Sequence, residues 1–133
     1  MRTLMIIATV VTATIYHADP AQTNADYLTT ASLKKINPAN PAIHRWIAVS
    51  RDLEKLGYTM GSDVCVTGAG DLDGVWTIED RMNKRWTKRI DFLVNKERKY
   101  GKWDSVHLYL VNPAKIKSKE LTRTESHILC VTN

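Results

Sequence analysis

The sequence predicts a mainly β domain of six or seven short strands with one or two short helices. Three observations point there: apolar runs four to eight residues long and rich in β-branched and aromatic residues, glycine, proline or asparagine punctuation between them, and no long stretch of helical periodicity. The chain has 133 residues, 44% of them hydrophobic, which suits a single core and leaves no room for a second domain of ordinary size. Charged residues make up 25%, as in a folded rather than a disordered protein.

Taken in order, Thr9-Val-Val-Thr-Ala-Thr-Ile-Tyr16 is the first strand. The apolar residues before it, Leu4 to Val11, support two readings: a short signal with a cut near Ala13, or simply the extended start of that strand. Either way the run is too short to span a bilayer. A loop from His17 to Asp26 with Pro20 leads to a short strand at Tyr27 to Ala31, and a polar linker with Pro38 and Pro41 leads to the strand Trp46 to Val49. Arg51 to Leu56 forms a turn or two of helix stopped by Gly57. Val64 to Thr67 is a strand, and Gly68 to Gly74 is a turn joining it to the strand Val75 to Ile78. That glycine-rich turn lacks the Lys-Ser/Thr pair and following helix of a phosphate loop. Ile90 to Val94 is the next strand, Asn95 to Gly101 a short helix or turn, and Val106 to Val111 the closing strand. The barrel domain is thus placed at residues 1–111. Residues 112–133 form a polar tail with His127 to Val131 as a candidate edge strand.

Asp80 and Asp91 frame the stretch between two of these strands. Carboxylates in such places are costly to bury unless paired, hydrogen-bonded or functional. Asp80 is expected at the end of its strand, where a side chain can project into a groove; Asp91 is expected inside the next one. From residue types alone, the alternative is that Asp80 caps the turn and Asp91 pairs with Arg85, Lys88 or Arg89.

The net charge is +5, and it is unevenly placed. Arg81, Lys84, Arg85, Lys88, Arg89, Lys96, Arg98, Lys99 and Lys102 face only Asp91 and Glu97 in the same stretch. A polyanion or acidic surface is the partner such a field favours. Trp86, Tyr100 and Trp103 interleave with the cations, so their rings could stack on sugar faces or on bases. Nucleic acid is the weaker reading, because no helix-turn-helix, zinc-finger or RNP signature accompanies them. Trp46 and Trp76 lie in apolar runs and are assigned to the core. Cys65 and Cys130 could form a disulfide in an exported protein or remain buried thiols. The four histidines are scattered, neither cysteine has a histidine at ligand spacing, and no cofactor motif is present, so neither a metal nor a cofactor is expected.

Gly61-Ser-Asp-Val-Cys-Val-Thr-Gly68, Trp76-Thr-Ile-Glu-Asp80 and Arg89-Ile-Asp91-Phe-Leu-Val94 together resemble the 3D, or three-aspartate, domain of bacterial and bacteriophage proteins. Upstream, Thr12 to Tyr16, Leu28 to Ser32 and Trp46 to Ser50 are similar to further segments of that family, so the likeness runs from about Thr12 to Val94. The resemblance implies a double-psi β-barrel like those of rare lipoprotein A, the expansins and membrane-bound lytic transglycosylase A. It also implies a groove that handles peptidoglycan or another anionic polysaccharide. The chain departs from the family at Ser50, where an aspartate is usual, and at Met82-Asn83, where two glycines are. Asp52 could replace the missing aspartate only if the chain bulges, since two residues on a strand share a face about 7 Å apart. Asn83 could supply the left-handed backbone of a lost glycine.

By this resemblance Asp80 is the candidate acid/base for lytic transglycosylase-like cleavage and Asp91 its orienting partner. Asn83, Arg85, Arg89, Asp52 and Trp86 are the candidate substrate contacts. A general acid needs a raised pKa, whereas neighbouring cations lower it, so burial or repulsion between carboxylates has to win. The alternative is a non-catalytic barrel that binds wall glycan or serves as a structural component, such as part of a phage particle. The resemblance puts the protein in the cell envelope or outside the cell if the N-terminus is a signal. Otherwise it implies a phage-encoded protein acting at the host wall or in the virion.

Overall fold

The structure, a computed structural model, describes residues 8–19, 26–111 and 130. It contains six strands: β1 (Thr9–Tyr16), β2 (Trp46–Val49), β3 (Asp63–Thr67), β4 (Gly74–Arg81), β5 (Arg89–Leu93) and β6 (Lys102–Leu110). The short helix α1 (Arg51–Glu54) and two 3-10 turns, Pro41–His44 and Gly70–Leu72, complete the described elements. The strands close into a barrel in the order β1-β5-β2-β4-β3-β6. Two pairs are parallel, β1 with β5 and β2 with β4, and the rest are antiparallel. Exchanging β1, β2 and β3 for β4, β5 and β6 leaves this order and every strand direction unchanged. The barrel is therefore two interlocked copies of one three-strand plan, which is the double-psi arrangement, and β2 and β5 meet at the pseudo-two-fold axis.

Alternation along each strand fills the interior. Val11 and Ala13, Ile47 and Val49, Val64 and Val66, Trp76 and Ile78, Ile90 and Phe92, and Val106 and Leu108 all belong to one buried cluster. Trp76 lies against Phe92 at 4.8 Å between ring centroids and donates its indole N–H to the Leu72 carbonyl at 2.7 Å. Gly68 ends β3 with φ +95, and a side chain there would come within 2.9 Å of the Ser105 carbonyl, so the turn admits only glycine. A second cluster outside the barrel holds Cys65, Val75, Val111 and Cys130. Cys65 and Cys130 form a disulfide, with Cα atoms 5.4 Å apart.

Several elements differ from expectation. β4 runs on through Asp80 to Arg81, because a bulge against Ile47 and Ala48 admits Glu79 without ending the pairing. β6 begins at Lys102, since Trp103 pairs with Ala13 across the closing seam. Tyr27 to Ala31 is no strand but the first arm of a tight turn, with one isolated bridge between Thr29 and Lys35. Asn95 to Gly101 takes the turn of the two forms expected for it, closed by the Arg98 amide on the Asn95 carbonyl at 3.0 Å. Trp46 is only half-buried and stacks on His44 at 4.0 Å instead of entering the core. Residues 1–7, the loop around Pro20 and the candidate strand His127–Val131, apart from Cys130, lie outside the described residues.

Candidate functional site

Outward-facing residues on four adjacent strands form one row across the barrel. Thr14 on β1 pairs with Asp91 on β5, Asp91 with Ala48 on β2, and Ala48 with Asp80 on β4. The bulge at Glu79 puts Asp80 in this row; without it, the period of two would have aligned Glu79. The two aspartates thus stand on one face with the small Ala48 between them, two strand spacings or about 10 Å apart across the sheet.

Asp80 opens onto a groove of about 550 Å³ whose lining includes Tyr16, Tyr27, Thr30, Arg51 and Asn83. One wall is the turn from Leu28 to Ile36. That turn closes on itself through Thr30 N–H to the Lys34 carbonyl and Ile36 N–H to the Leu28 carbonyl, both 2.9 Å. Its tip docks on β4, where the Ala31 amide donates to Asp80 Oδ1 at 3.0 Å and the Ser32 amide to the Glu79 carbonyl at 3.2 Å. Asp80 also accepts the Arg81 amide at 2.9 Å and the Tyr16 hydroxyl at 3.2 Å. The carboxylate is both groove lining and the anchor of a groove wall.

Burial, then the touching Asp80 carboxylate and more weakly Asp91, push the Tyr16 hydroxyl well above its ordinary value. It therefore remains a proton donor at neutral pH. Burial likewise raises Asp91, and the Asp80 charge adds to the rise; the Thr14 hydroxyl, which donates to Asp91 Oδ1, and the Arg89 charge oppose it. The carboxyl held above its ordinary range is thus Asp91, a residue within a strand, where burial outweighs the local cations.

The other expected contacts divide. Asn83 lines the groove, and its Oδ1 accepts the Arg85 amide at 3.0 Å in an Asx turn; it is not left-handed, and the left-handed residue here is Lys88, with φ +48. Asp52, on α1, is not part of the groove lining, and its Oδ2 accepts the Lys88 amide at 2.9 Å. Burial pulls Asp52 upward, but hydrogen bonds from Ser50 and Lys88 outweigh it and hold the carboxyl below its usual range. Ser50 itself is fully buried and splices β2 to β5, accepting the Arg89 amide at 3.0 Å on its hydroxyl. Arg85, Trp86 and Arg89 come together beside the groove, with the guanidinium carbons 4.8 and 4.1 Å from the Trp86 ring centre.

The basic stretch does not form one field. Arg81 pairs with Glu54 at 2.7 Å, Arg98 with Asp71 at 2.6 Å, and Lys102 lies 4.0 Å from Asp104. Lys96 and Lys99 follow β5 while Lys84, Arg85 and Lys88 precede it, so the two groups sit at opposite ends of that strand, about 16 Å apart. Tyr16, Tyr27, Arg51 and the Ala31 amide were not singled out from sequence. Strict alternation in Val11 to Tyr16 does predict an outward Tyr16, but long-range contact of the 28–36 turn with β4 has no local signal. Among the described residues no group of His, Cys, Asp and Glu converges as metal ligands, and no helix is long and apolar enough to cross a membrane.

The fold and the paired-aspartate row define a double-psi-type six-stranded barrel with an open groove on its outer face. Neither a protein-family model nor a curated protein sequence matches the chain. Two structures of Clavibacter michiganensis expansin do match in fold, one of the apo protein and one of a point mutant in complex with cellohexaose. Each has a TM-score of 0.50 over 80% of this chain, with 17% and 15% sequence identity respectively. The chain spans about half the length of these structures, 51%.

Proposed function

We propose that this barrel binds a cell-wall polysaccharide in the groove beside Asp80. The observation that carries the reading is the groove itself: about 550 Å³, walled by a docked turn and lined by two tyrosines, two carboxylates (Asp26 and Asp80), an amide and a guanidinium. Such a lining offers aromatic faces for sugar rings and both donors and acceptors for their hydroxyls. A double-psi relative, the Clavibacter expansin, was captured with cellohexaose, which supports a glycan as the ligand class. The 3D-domain likeness supports a bacterial or phage wall polymer such as peptidoglycan. The Cys65–Cys130 disulfide supports a site of action outside the reducing cytoplasm, in the envelope, the medium or a virion. Affinity measurements with cellohexaose and with purified sacculi test the reading. Binding to either should be lost in Tyr27→Ala, and absence of wild-type binding to both would end the proposal.

Asp91 favours a second reading, glycan cleavage. Burial holds the Asp91 carboxyl above its usual range, the direction of shift that acid/base work calls for. In a lytic transglycosylase-like reaction, one acid protonates the glycosidic oxygen while the sugar's own hydroxyl closes an anhydro ring. Asp80, at the groove, would be the acid/base and Asp91 the buried neighbour that orients or polarises it. Incubation with sacculi should then release anhydro-sugars, and Asp80→Asn should cut the rate by about two to four orders of magnitude. Retention of sacculi without any anhydro product leaves the binding reading alone.

A further inference from the structure

The turn between β4 and β5, residues 82–88, is more ordered and more cationic than a solvated connection needs to be. Asn83 fixes its start, receiving the Arg85 amide on Oδ1 at 3.0 Å and the Trp86 amide on its carbonyl at 3.0 Å. Lys88 fixes its end in a left-handed backbone, with its amide held by Asp52 at 2.9 Å. A non-glycine residue in that conformation is strained, and strain persists only where the surroundings over-determine it. Between these anchors Trp86 is half-buried, with Arg85 and Arg89 over its ring at 4.8 and 4.1 Å. The ring restricts both guanidiniums before any ligand arrives, which lowers the ordering cost of binding.

The charges of this turn are also unspent. Lys84, Arg85 and Lys88 are exposed, and no carboxylate among the described residues lies within ion-pair distance of them, whereas Arg81 and Arg98 are each neutralised by a carboxylate. Asn83 belongs to the turn and lines the groove, so the turn leaves directly from the groove's edge.

We propose that residues 82–88 form a preorganised cationic subsite for carboxylates on an acidic polysaccharide whose chain lies in the Asp80 groove. The proposal rests on the glycan reading of that groove and adds the class of polymer, a carboxylate-bearing rather than a neutral one. The guanidinium of Arg85, held over the Trp86 ring, can meet a carboxylate two bonds at a time, and Trp86 gives the adjoining sugar ring an apolar face.

Three ligands test it: polygalacturonate, neutral cellohexaose and a single-stranded DNA of similar charge. Wild-type protein is expected to prefer polygalacturonate to both, with the preference shrinking as salt rises. In Lys84→Gln/Arg85→Gln/Lys88→Gln, the ratio of polygalacturonate to cellohexaose affinity should fall about tenfold or more, with the melting temperature unmoved. A ratio unchanged in the triple variant, or no preference in wild type, overturns the subsite whatever cellohexaose does. DNA bound as tightly as polygalacturonate overturns it in favour of a nucleic-acid surface. Polygalacturonate binding that needs the three cations while cellohexaose does not bind keeps the subsite and removes the neutral groove.

Discussion

Strands β1 to β3 and β4 to β6 follow one plan, yet the first connection in each half is built for a different task. From Tyr16 to Trp46 the chain makes a long excursion whose turn at 28–36 climbs onto the other half and walls the groove. From Arg81 to Arg89 it makes a short, rigid, cationic turn. The row across the strands is equally unequal: Thr14 in the first half corresponds to Asp80 in the second, and Ala48 to Asp91. The symmetric frame is what the hydrophobic pattern specifies, and the site is what breaks the symmetry. One half supplies the cover with Asp26 and Arg51, the other Asp80 and Asn83, so neither could form the groove alone.

The largest effect should come from the interior that the halves share. Phe92 is fully buried on β5 at the pseudo-two-fold axis, between Trp76 and Trp103. Phe92→Ala is expected to cost about 3–5 kcal/mol in urea unfolding. A cost under about 1 kcal/mol would mean that the halves do not depend on a common core. Next is the disulfide, which joins β3 to a residue 65 positions later. Closing so long a loop contributes about 2–4 kcal/mol, so the Cys65→Ala/Cys130→Ala variant should melt well below the oxidised protein. Equal melting points would show that the crosslink holds the tail and not the barrel.

Asp80→Ala comes third and addresses the comparison directly. It removes the acceptor for the Ala31 amide and the Tyr16 hydroxyl, and the loss of partnered polar groups costs about 1–3 kcal/mol. Amide exchange should quicken at Ala31 and Ser32 in the first half and leave residues 83–88 unchanged. Uniform quickening in both connections would deny that Asp80 is the anchor of the long one.

How much of this was legible varied with the range of the interactions. Core positions on β2, β3 and β5 followed from alternation and β-branched content, because burial imposes a period of two on any half-exposed strand. Asp80 and Asp91 were singled out for another reason, their places beside two apolar runs and the resemblance to the three-aspartate domain, and the structure puts both in one row. What the sequence did not show was the bulge at Glu79, which a pattern count passes over, and which alone brings Asp80 into the row. Nor did it show that Trp46 would leave the core for His44, or that Asp52, on α1, would take the Lys88 amide instead of lining the groove. Each was decided by a partner distant in sequence. The basic stretch misled for a related reason: a count of cations along the chain does not register Glu54 and Asp71, which neutralise two of them from other elements.

Titration of Asp91 gives a smaller and signed effect. Its folded carboxyl is held above the ordinary 3.8, chiefly by burial. A raised carboxyl contributes stability that is fully present below the unfolded value and is lost as pH rises through the folded one. The stability of wild type relative to Asp91→Asn should therefore be greatest below about pH 3.8, decline as pH rises past it, and level off above the folded value. A difference that grows with pH would mean that Thr14 and Arg89 outweigh burial, and that Asp91 is a paired carboxylate.

The smallest effect belongs to the surface contact between the halves, where Glu54 after β2 grips Arg81 at the end of β4 through two bonds of 2.7 Å. The hydrogen bond and charge of Arg81 hold Glu54 below its ordinary range against the opposing effect of burial. The sign is the reverse of that for Asp91: this pair stabilises above the unfolded carboxyl value and fades as pH falls through the folded one. Both side chains keep contact with solvent, 38% for Arg81 and 21% for Glu54, so screening limits the gain. Glu54→Gln should cost about 0.2–1 kcal/mol at neutral pH, and the difference from wild type should close in acid and in molar salt. A larger, salt-independent loss would place Glu54 in a structural role that its partial exposure does not suggest.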